Sequence, residues 1–297
     1  MIVLQGPRER LDGVVLSPDG RLAACAGGSE GQLLLWDITA GRRLELNPPA
    51  VPIYRTAYAF SPDGRWLATG LGHLLRIYDS TTGRLSAELH LADEVVPALR
   101  WHPAGRLLAS VPAWGPAAGD NLRWFDSTAR MMPQKGFRTA DQAVYGLAFA
   151  RDGRTLVTRG TDGLNRWDVR RRRHLGHWPL ADRDSSSLAA SPDDRFAAVP
   201  QRSQLHVVDL TGQGGGMTVR HAPRKRFQGA AFTPDGRHLA AVGGSDAVRF
   251  WDTATWRERQ SYNWGVGELR GVAFTADGLR GVAVSATGAL VIWDTDL

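Results

Sequence analysis

Cysteine and long apolar runs are both scarce in this chain. The single cysteine, Cys25, excludes an internal disulfide and any zinc site built from clustered cysteines. No run of about 18 apolar residues occurs, which argues against a membrane-spanning helix and a membrane partner. The apolar start, Met1 to Gln5, is short and soon meets Arg8, so we expect no signal peptide. One cysteine also fits a reducing compartment, and we expect a cytoplasmic protein.

The remaining composition is that of a folded, basic protein. Of 297 residues, 43% are hydrophobic and 22% are charged, which is enough to bury a large core. The net charge is +6, and nearly all the cations are arginine, since only Lys135 and Lys225 are lysine. That skew indicates a compositional bias rather than a function.

The strongest signal is an internal repeat with two markers in phase. The first marker is an apolar run that ends in aspartate, and these aspartates lie 41 to 47 residues apart. Its seven copies are Trp36-Asp37, Tyr78-Asp79, Phe125-Asp126, Trp167-Asp168, Val208-Asp209, Trp251-Asp252 and Trp293-Asp294. The second marker is a turn of the Ser-Pro-Asp-Gly type, whose copies begin at Ser17, Ser61, His102, Ala150, Ser191, Thr233 and Thr275.

Each unit of about 42 residues is typical of four short strands. Apolar runs flank the Pro-Asp-Gly turn, which predicts a hairpin, and the aspartate-ending strand and a more polar strand follow. Helical periodicity is missing, which disfavours a parallel βαβ fold. Repeated four-stranded units that cannot bury both faces alone predict a β-propeller.

These residues resemble the WD-repeat (WD40-type) family along the whole chain. The run Val248-Arg249-Phe250-Trp251-Asp252 matches the family's apolar-Arg-apolar-Trp-Asp strand. The resemblance implies an all-β fold, a seven-bladed β-propeller of four-stranded antiparallel blades. In that family a Gly-His pair precedes the first inner strand, and its histidine joins a buried hydrogen-bond network, but no unit here has Gly-His at that place. We therefore expect these blades to depend more on apolar packing around tryptophan.

The two chain ends predict how the propeller closes. Only three residues follow Asp294, so the last unit lacks a fourth strand, while residues 2–5 form a strand-like run without a local partner. We expect residues 2–5 to be the outer strand of the last blade. The chain 1–297 is then a single seven-bladed domain, whose repeat units span approximately 8–48, 49–91, 92–137, 138–180, 181–220, 221–263 and 264–297.

No set of residues predicts catalysis. The histidines are scattered over different units, and the spacing of His174 and His177 predicts opposite faces of a strand. The glycines from Gly212 to Gly216 lack the Lys-Ser/Thr and the helix of a phosphate-binding loop. The repeated aspartates recur for a common turn or cap reason. We expect no catalytic residues, no cofactor and no metal site.

The basic runs do not form one nucleic-acid track. Arg170 to Arg173 and the run from Arg224 to Arg226 lie in links that the resemblance places on opposite faces. Arginines that follow the hairpin turns share their face with the turn and marker aspartates, which offset them. We therefore expect no nucleic-acid partner.

Candidate partner-binding residues are non-repeated groups in the links between strands and blades. In the resembling family the face with these links commonly docks peptides or proteins, and aromatics and arginine dominate such contacts. The candidates here are Tyr54, Trp114, Phe137, Arg226, Tyr262 and Trp264. Trp114 is the sharpest candidate, because it lies in an inserted loop. The alternative for each ring is packing over a blade edge as local core.

The sequence therefore predicts a non-catalytic scaffold that binds an unidentified protein or peptide, as a monomer or within a hetero-complex. One alternative is a propeller-type hydrolase or lactonase, because Ser-Pro-Asp-Gly turns also occur in such enzymes. Another is a basic propeller associated with nucleic acid.

Overall fold

The chain is all-β, as predicted. The computed structural model describes residues 1–6, 10–27, 32–47, 56–91, 95–110, 120–126, 133–139, 143–180, 187–214, 216–220 and 225–295. Within these ranges every regular element is a strand, and no helix is present that could cross a membrane. The strands are β1 Ile2–Gln5, β2 Leu11–Leu16, β3 Leu22–Gly27, β4 Gln32–Asp37, β5 Arg42–Leu44, β6 Thr56–Phe60, β7 Trp66–Leu71, β8 Leu74–Asp79, β9 Leu85–His90, β10 Ala98–Trp101, β11 Leu107–Ser110, β12 Leu122–Phe125, β13 Pro133–Phe137, β14 Val144–Phe149, β15 Thr155–Gly160, β16 Gly163–Asp168, β17 Arg173–Pro179, β18 Ala189–Ala190, β19 Phe196–Gln201, β20 Gln204–Asp209, β21 Met217–Arg220, β22 Gly229–Phe232, β23 His238–Val242, β24 Ala247–Asp252, β25 Glu258–Asn263, β26 Leu269–Phe274, β27 Arg280–Ser285 and β28 Ala289–Asp294.

These strands form four-stranded antiparallel sheets of the β-propeller type, and the described residues contain seven of them. The chain divides into two compact units, and the sheets are distributed between them. One unit is Met1–Ser29, Leu34–Arg43 and Ser187–Leu297, and the other is Glu30–Leu33 and Leu44–Ser186. The first holds β18–β21, β22–β25, β26–β28 with β1, and most of β2–β5. The second holds β6–β9, β10–β13 and β14–β17.

The N-terminal strand completes the last sheet, as the chain ends predict. β1 pairs antiparallel with β28, with Ile2 opposite Ile292 and Gln5 opposite Ala289. The backbone N–H of Gly6 then donates to the carbonyl oxygen of Gly288 at 2.9 Å. The edge of β28 is thereby covered by residues from the opposite end of the chain.

The core lies on the inner and middle strands of the sheets. All six residues of β3 and all six of β19 are buried, whereas β25 is mostly exposed. In the second unit, Leu75 and Ile77 of β8 pack with Leu99 of the neighbouring sheet. Because middle strands are covered on both faces, they read as continuous apolar runs, and the outer strands carry the polar residues.

Candidate partner-binding site

The repeated aspartates at the strand ends act as turn caps. Asp79 Oδ1 accepts hydrogen bonds from the backbone N–H groups of Thr81 and Thr82, at 3.1 Å and 2.8 Å. The Thr82 hydroxyl donates to the same oxygen at 2.9 Å. The bond from the Thr82 backbone N–H makes the largest contribution, and together these bonds hold the pKa of Asp79 below its usual value. Equivalent caps occur at Asp37, Asp209 and Asp252. At these four marker positions the carboxylate therefore serves local structure.

The hairpin-turn residues are used in the same local way. The Ser61 hydroxyl donates to Asp63 Oδ1 at 2.5 Å and accepts from the Trp66 backbone N–H at 2.9 Å. Gly64 has a φ of 72°, which a glycine adopts without strain. The same Ser/Thr–Asp bond recurs in the turns that begin at Ser191, Thr233 and Thr275. The repeated polar residues are thus committed to the fold.

Each of the six arginines that follow the hairpin turns has a local partner, which is either a carboxylate or an aromatic ring. Arg21 Nε, for example, lies 3.3 Å from Asp37 Oδ2. The other two, Arg65 and Arg106, stack on aromatic rings, with the Arg65 guanidinium 4.5 Å from the centre of the Trp66 ring. The pairs are Arg21–Asp37, Arg154–Asp152, Arg195–Asp209, Arg237–Asp235, Arg65–Trp66 and Arg106–Trp124. Such arginines leave little cation excess for phosphate binding.

The buried tryptophans show what replaces the missing histidine network. In β16 the Trp167 indole N–H donates to Thr158 Oγ1 at 3.1 Å. The indole nitrogens of Trp36 and Trp293 have no oxygen or nitrogen hydrogen-bond partner among the described residues. Cys25 occupies the core beside Trp36, and burial raises the pKa of its thiol to about 12. The Cys25 side chain therefore stays a neutral packing group.

The candidate residues predicted from sequence fall in different places. Tyr54 and Trp114 lie outside the described residues. Phe137 ends β13, with its backbone opposite Leu122, and its side chain is likewise outside the description. Arg226 is exposed just before β22. Of the candidate rings that the structure describes, Tyr262 and Trp264 lie together.

Tyr262 and Trp264 stack on each other and on the core. Their ring centres are 5.9 Å apart with an angle of 6° between the planes. Trp264 lies 4.8 Å from the ring of Trp293, and Tyr262 lies 5.7 Å from that of Phe250. Both rings are half-buried, so each has one covered side and one accessible side. The arrangement fits both local packing and a rigid aromatic platform.

A cleft of about 530 Å³ lies near Arg226 in the same unit. Arg270, which lines the cleft, has its Nε 2.6 Å from Asp12 Oδ1 and its Nη1 3.7 Å from Glu268 Oε2. Glu268 Oε1 accepts the backbone N–H of Gly244 at 3.1 Å. The lining residues are Lys225, Arg226, Gln228, Gly244, Ser245, Asp246, Gly267, Glu268 and Arg270. The cleft is therefore a polar surface with a fixed ionic network.

Sequence reasoning missed this ionic network. Asp12 and Arg270 are 258 positions apart and meet because β2 and β26 are neighbours. The available signal was positional, since each residue stands at the same distance before its hairpin turn, at Ser17 and Thr275. Residues in matching repeat positions of neighbouring units face each other, so charge complementarity between such positions was the clue.

The expectation that His174 and His177 lie on opposite faces is wrong. His174 Nε2 is 2.8 Å and His177 Nδ1 is 3.1 Å from the same Asn165 Oδ1. The register shifts between β16 and β17, where Arg166 faces Gly176 but Trp167 faces His174. β17 therefore has one extra residue between His174 and Gly176. This extra residue reverses the alternation of side chains along β17, so that the two histidines share a face. Among the residues placed by the structure, no group of three or more His, Cys, Asp or Glu could hold a metal ion.

Comparison with known proteins connects the repeats to one family description. A family model described as "WD domain, G-beta repeat" matches residues 52–79. The chain is 41% identical over 66 residues to the small ribosomal subunit protein RACK1 of Caenorhabditis elegans, covering 22% of this chain and 19% of that protein. It is 30% identical over 136 residues to RACK1y of Oryza sativa subsp. japonica, covering 45% and 38%. For RACK1 of Schizosaccharomyces pombe the identity is 33% over 106 residues, covering 33% of each chain. The matches thus span well under half the length of these relatives.

Proposed function

We propose that this chain, which belongs to the WD-repeat β-propeller family, is a non-catalytic scaffold that binds another protein or a peptide. The observation that carries the proposal is the use of the repeated polar residues. Local turns use the hydrogen bonds of the marker aspartate Asp79 and of the turn residues Ser61 and Asp63. Recognition must then come from residues that do not repeat, which lie in the links between strands.

The proposed scaffold is one closed seven-bladed propeller that spans 1–297. Seven four-stranded sheets among the described residues support this arrangement, as does the pairing of β1 with β28. Such a ring presents its links on rigid strands, so that side chains from several blades can meet one partner. Rigid presentation lowers the entropy cost of binding.

The proposed contact residues are those predicted from the sequence: Tyr54, Trp114, Phe137, Arg226, Tyr262 and Trp264. The stacked pair of Tyr262 and Trp264 supports the proposal, because rigid aromatic surfaces and arginine are favoured at binding hot spots. Arg226, which is exposed and lines the polar cleft, would add a cation to the binding surface.

The similar proteins support a role inside an assembly. The three relatives are named as small ribosomal subunit proteins, so each is described as part of a larger complex. We place this chain, by analogy, in a cytoplasmic hetero-complex. The proposal extends that analogy to the kind of role and leaves the partner to experiment.

Partner capture tests the proposal. The tagged chain is incubated with lysate of the source cell, cross-linked, and analysed by mass spectrometry. We expect a defined set of proteins to be retained by the wild type and lost with Trp264→Ala, Trp114→Ala or Arg226→Ala. Trp256→Ala, a half-buried tryptophan at a different turn, is the matched control and should retain them.

Three results would contradict the scaffold proposal. Recovery of no specific protein would remove its basis, and metal in elemental analysis or lactone hydrolysis would favour a propeller enzyme. Because Trp264 packs on Trp293, its variant is also checked for an unchanged melting temperature. Arg226 is exposed, so Arg226→Ala remains informative if the tryptophan variant unfolds.

A further inference from the structure

Four consecutive arginines lie where the chain passes from β16 to β17, Arg170 to Arg172 in the turn and Arg173 as the first residue of β17. Arg170 to Arg173 are all exposed. Asp168 Oδ1 accepts the Arg171 backbone N–H at 2.7 Å, and its Oδ2 lies 3.5 Å from Arg171 Nη1. No carboxylate among the described residues pairs with the guanidinium groups of Arg170, Arg172 or Arg173. The turn therefore presents unbalanced cations, unlike the arginines that follow the hairpin turns.

Arg172 holds a backbone conformation that favours glycine. Its φ is 52°, and the equivalent turns of the first two repeat units have Gly41 and Gly83 there, with φ of 64° and 68°. Trp256 takes the same conformation at 53°, but its ring packs 4.9 Å from that of Phe196. Arg172 has no comparable contact within the described part of the chain. Stability does not explain an arginine here, and uncompensated strain points to a functional role.

A cleft of about 590 Å³ lies beside this turn. Its lining combines cations, two carboxylates and one apolar side chain, Leu175, which is 42% exposed. Arg154 in the lining is held 3.8 Å from Asp152, so its charge is partly neutralised. The lining residues are Asp152, Arg154, Thr155, Asp168, Arg170, Arg171 and Leu175. A ligand that fits would bring negative charge to the turn and an apolar group to Leu175.

The strand that follows the turn is also suited to an extended ligand. β17 is the longest strand of its sheet and the last in the order β14-β15-β16-β17. Among the described residues no further strand pairs with β17, so β17 is the edge strand of its sheet. Extended peptides bind such edges by adding a strand, with alternate side chains giving the specificity.

We propose that the arginine segment Arg170–Arg173 and the cleft beside it bind an extended acidic peptide. Its carboxylates contact Arg170, Arg172 and Arg173, and one apolar side chain contacts Leu175. A nucleic acid fits less well, because the cations are confined to one turn and Asp152 and Asp168 line the cleft. Phosphate recognition needs a longer track of unpaired cations. This proposal uses none of the residues Arg226, Tyr262 and Trp264, so each proposal can fail without the other.

Fluorescence anisotropy tests the proposal with a defined probe. The probe is a short fluorescein-labelled peptide of glutamates around a central leucine, and the same peptide with glutamine for glutamate is its control. We expect salt-sensitive binding of the acidic probe alone. Arg172→Gly should weaken that binding about 5-fold while leaving the melting temperature unchanged or higher, because glycine relieves the strained φ. Arg172→Asn, which tolerates the same conformation, should weaken binding equally.

Further variants locate the contact. Arg170→Gln with Arg173→Gln should weaken binding about 25-fold if each cation contributes as Arg172 does. Leu175→Ser should also weaken it, whereas Arg259→Gln, an exposed arginine on β25, should have no effect. Equal affinity for all variants, or no binding of the acidic probe, would overturn the proposal. Tighter binding of a single-stranded oligonucleotide, or of vesicles containing phosphatidylserine, would replace the peptide as the occupant.

Discussion

At the scale of single residues, the blades are held by tryptophan without the histidine network that the family resemblance leads one to expect. Trp167 retains a hydroxyl acceptor in Thr158, at 3.1 Å. Trp293 is the equivalent tryptophan of β28. In its sheet, the position equivalent to Thr158 is occupied by Ala283. The Trp293 indole nitrogen accordingly has no hydrogen-bond partner among the described residues. Apolar packing carries the stability there.

Removing the hydroxyl at Thr158 and adding one at Ala283 should have opposite effects on the free energy of unfolding. Thr158→Val should lower the free energy of unfolding by about 1 kcal/mol, because the buried Trp167 N–H loses its acceptor. Ala283→Ser should raise it, by up to about 1 kcal/mol, by giving the Trp293 N–H an acceptor. Urea denaturation of both variants measures the changes. A destabilising Ala283→Ser would show that packing around Trp293 outweighs the hydrogen bond.

Gly281 should be required by the ring of Trp293. A methyl group at Gly281 would lie 2.1 Å from Trp293 Cζ2, far inside van der Waals contact. Gly281→Ala should therefore cost about 1–3 kcal/mol of unfolding free energy by overpacking. Adding Trp293→Phe, which shortens the ring, should reduce the cost of the alanine in a double-mutant cycle. Additive effects of the two substitutions would mean that this contact is not the cause.

At the scale of elements, the turn caps make the stability of the repeat units depend on pH. Each cap needs an ionised aspartate, and the Ser61 hydroxyl bond and the Thr82 backbone bond hold the pKa of Asp63 and of Asp79 low. In the unfolded chain these carboxylates have their ordinary, higher pKa, so they bind protons at a higher pH than in the folded protein. Their contribution to stability is therefore complete above pH about 4 and is lost as the pH falls through the lowered folded values.

Acid should destabilise the protein through these caps. The melting temperature should fall steeply below pH about 4. Asp79→Asn should melt below the wild type at pH 7, and the gap should narrow in acid, since asparagine does not titrate. Asp120→Asn, at a residue outside the caps, serves as the control. A gap that stays constant from pH 7 to about pH 3 would show that the charge of Asp79 contributes nothing to its cap.

Removing the N-terminal strand should strongly destabilise the last sheet. Val3 and Leu4 pack against core residues on the two faces of β1. Deleting residues 1–6 removes this packing and exposes the edge of β28, at a cost of about 2–4 kcal/mol. Thermal melting followed by circular dichroism measures the loss. Ile2→Thr is the control, because Ile2 is 54% exposed. An unchanged melting curve after the deletion would contradict the structural role of β1.

At the scale of the whole molecule, regular features could be predicted from sequence and irregular ones could not. The two markers predict four strands per unit, because hairpin turns and apolar runs are local properties. The partner of β1 could be predicted because the last unit lacks a strand. The faces of His174 and His177 could not, because a register shift with no evident sequence signal reverses the alternation. The pairing of Asp12 with Arg270 depends on contacts between sheets, which a reading within units overlooks.

Paired cysteines test whether β1 and β28, from the two ends of the chain, lie side by side in one sheet. Val3 faces Val291 and Leu4 faces Leu290, and one of two adjacent antiparallel pairs always has the closer Cα atoms. In a Cys25→Ser background, either Val3→Cys with Val291→Cys or Leu4→Cys with Leu290→Cys should form an intrachain disulfide rapidly and completely, as measured by mass spectrometry. The out-of-register pair Leu4→Cys with Ile292→Cys should not. No intrachain bond in either matched pair, or equal oxidation of the mismatched pair, would contradict the account.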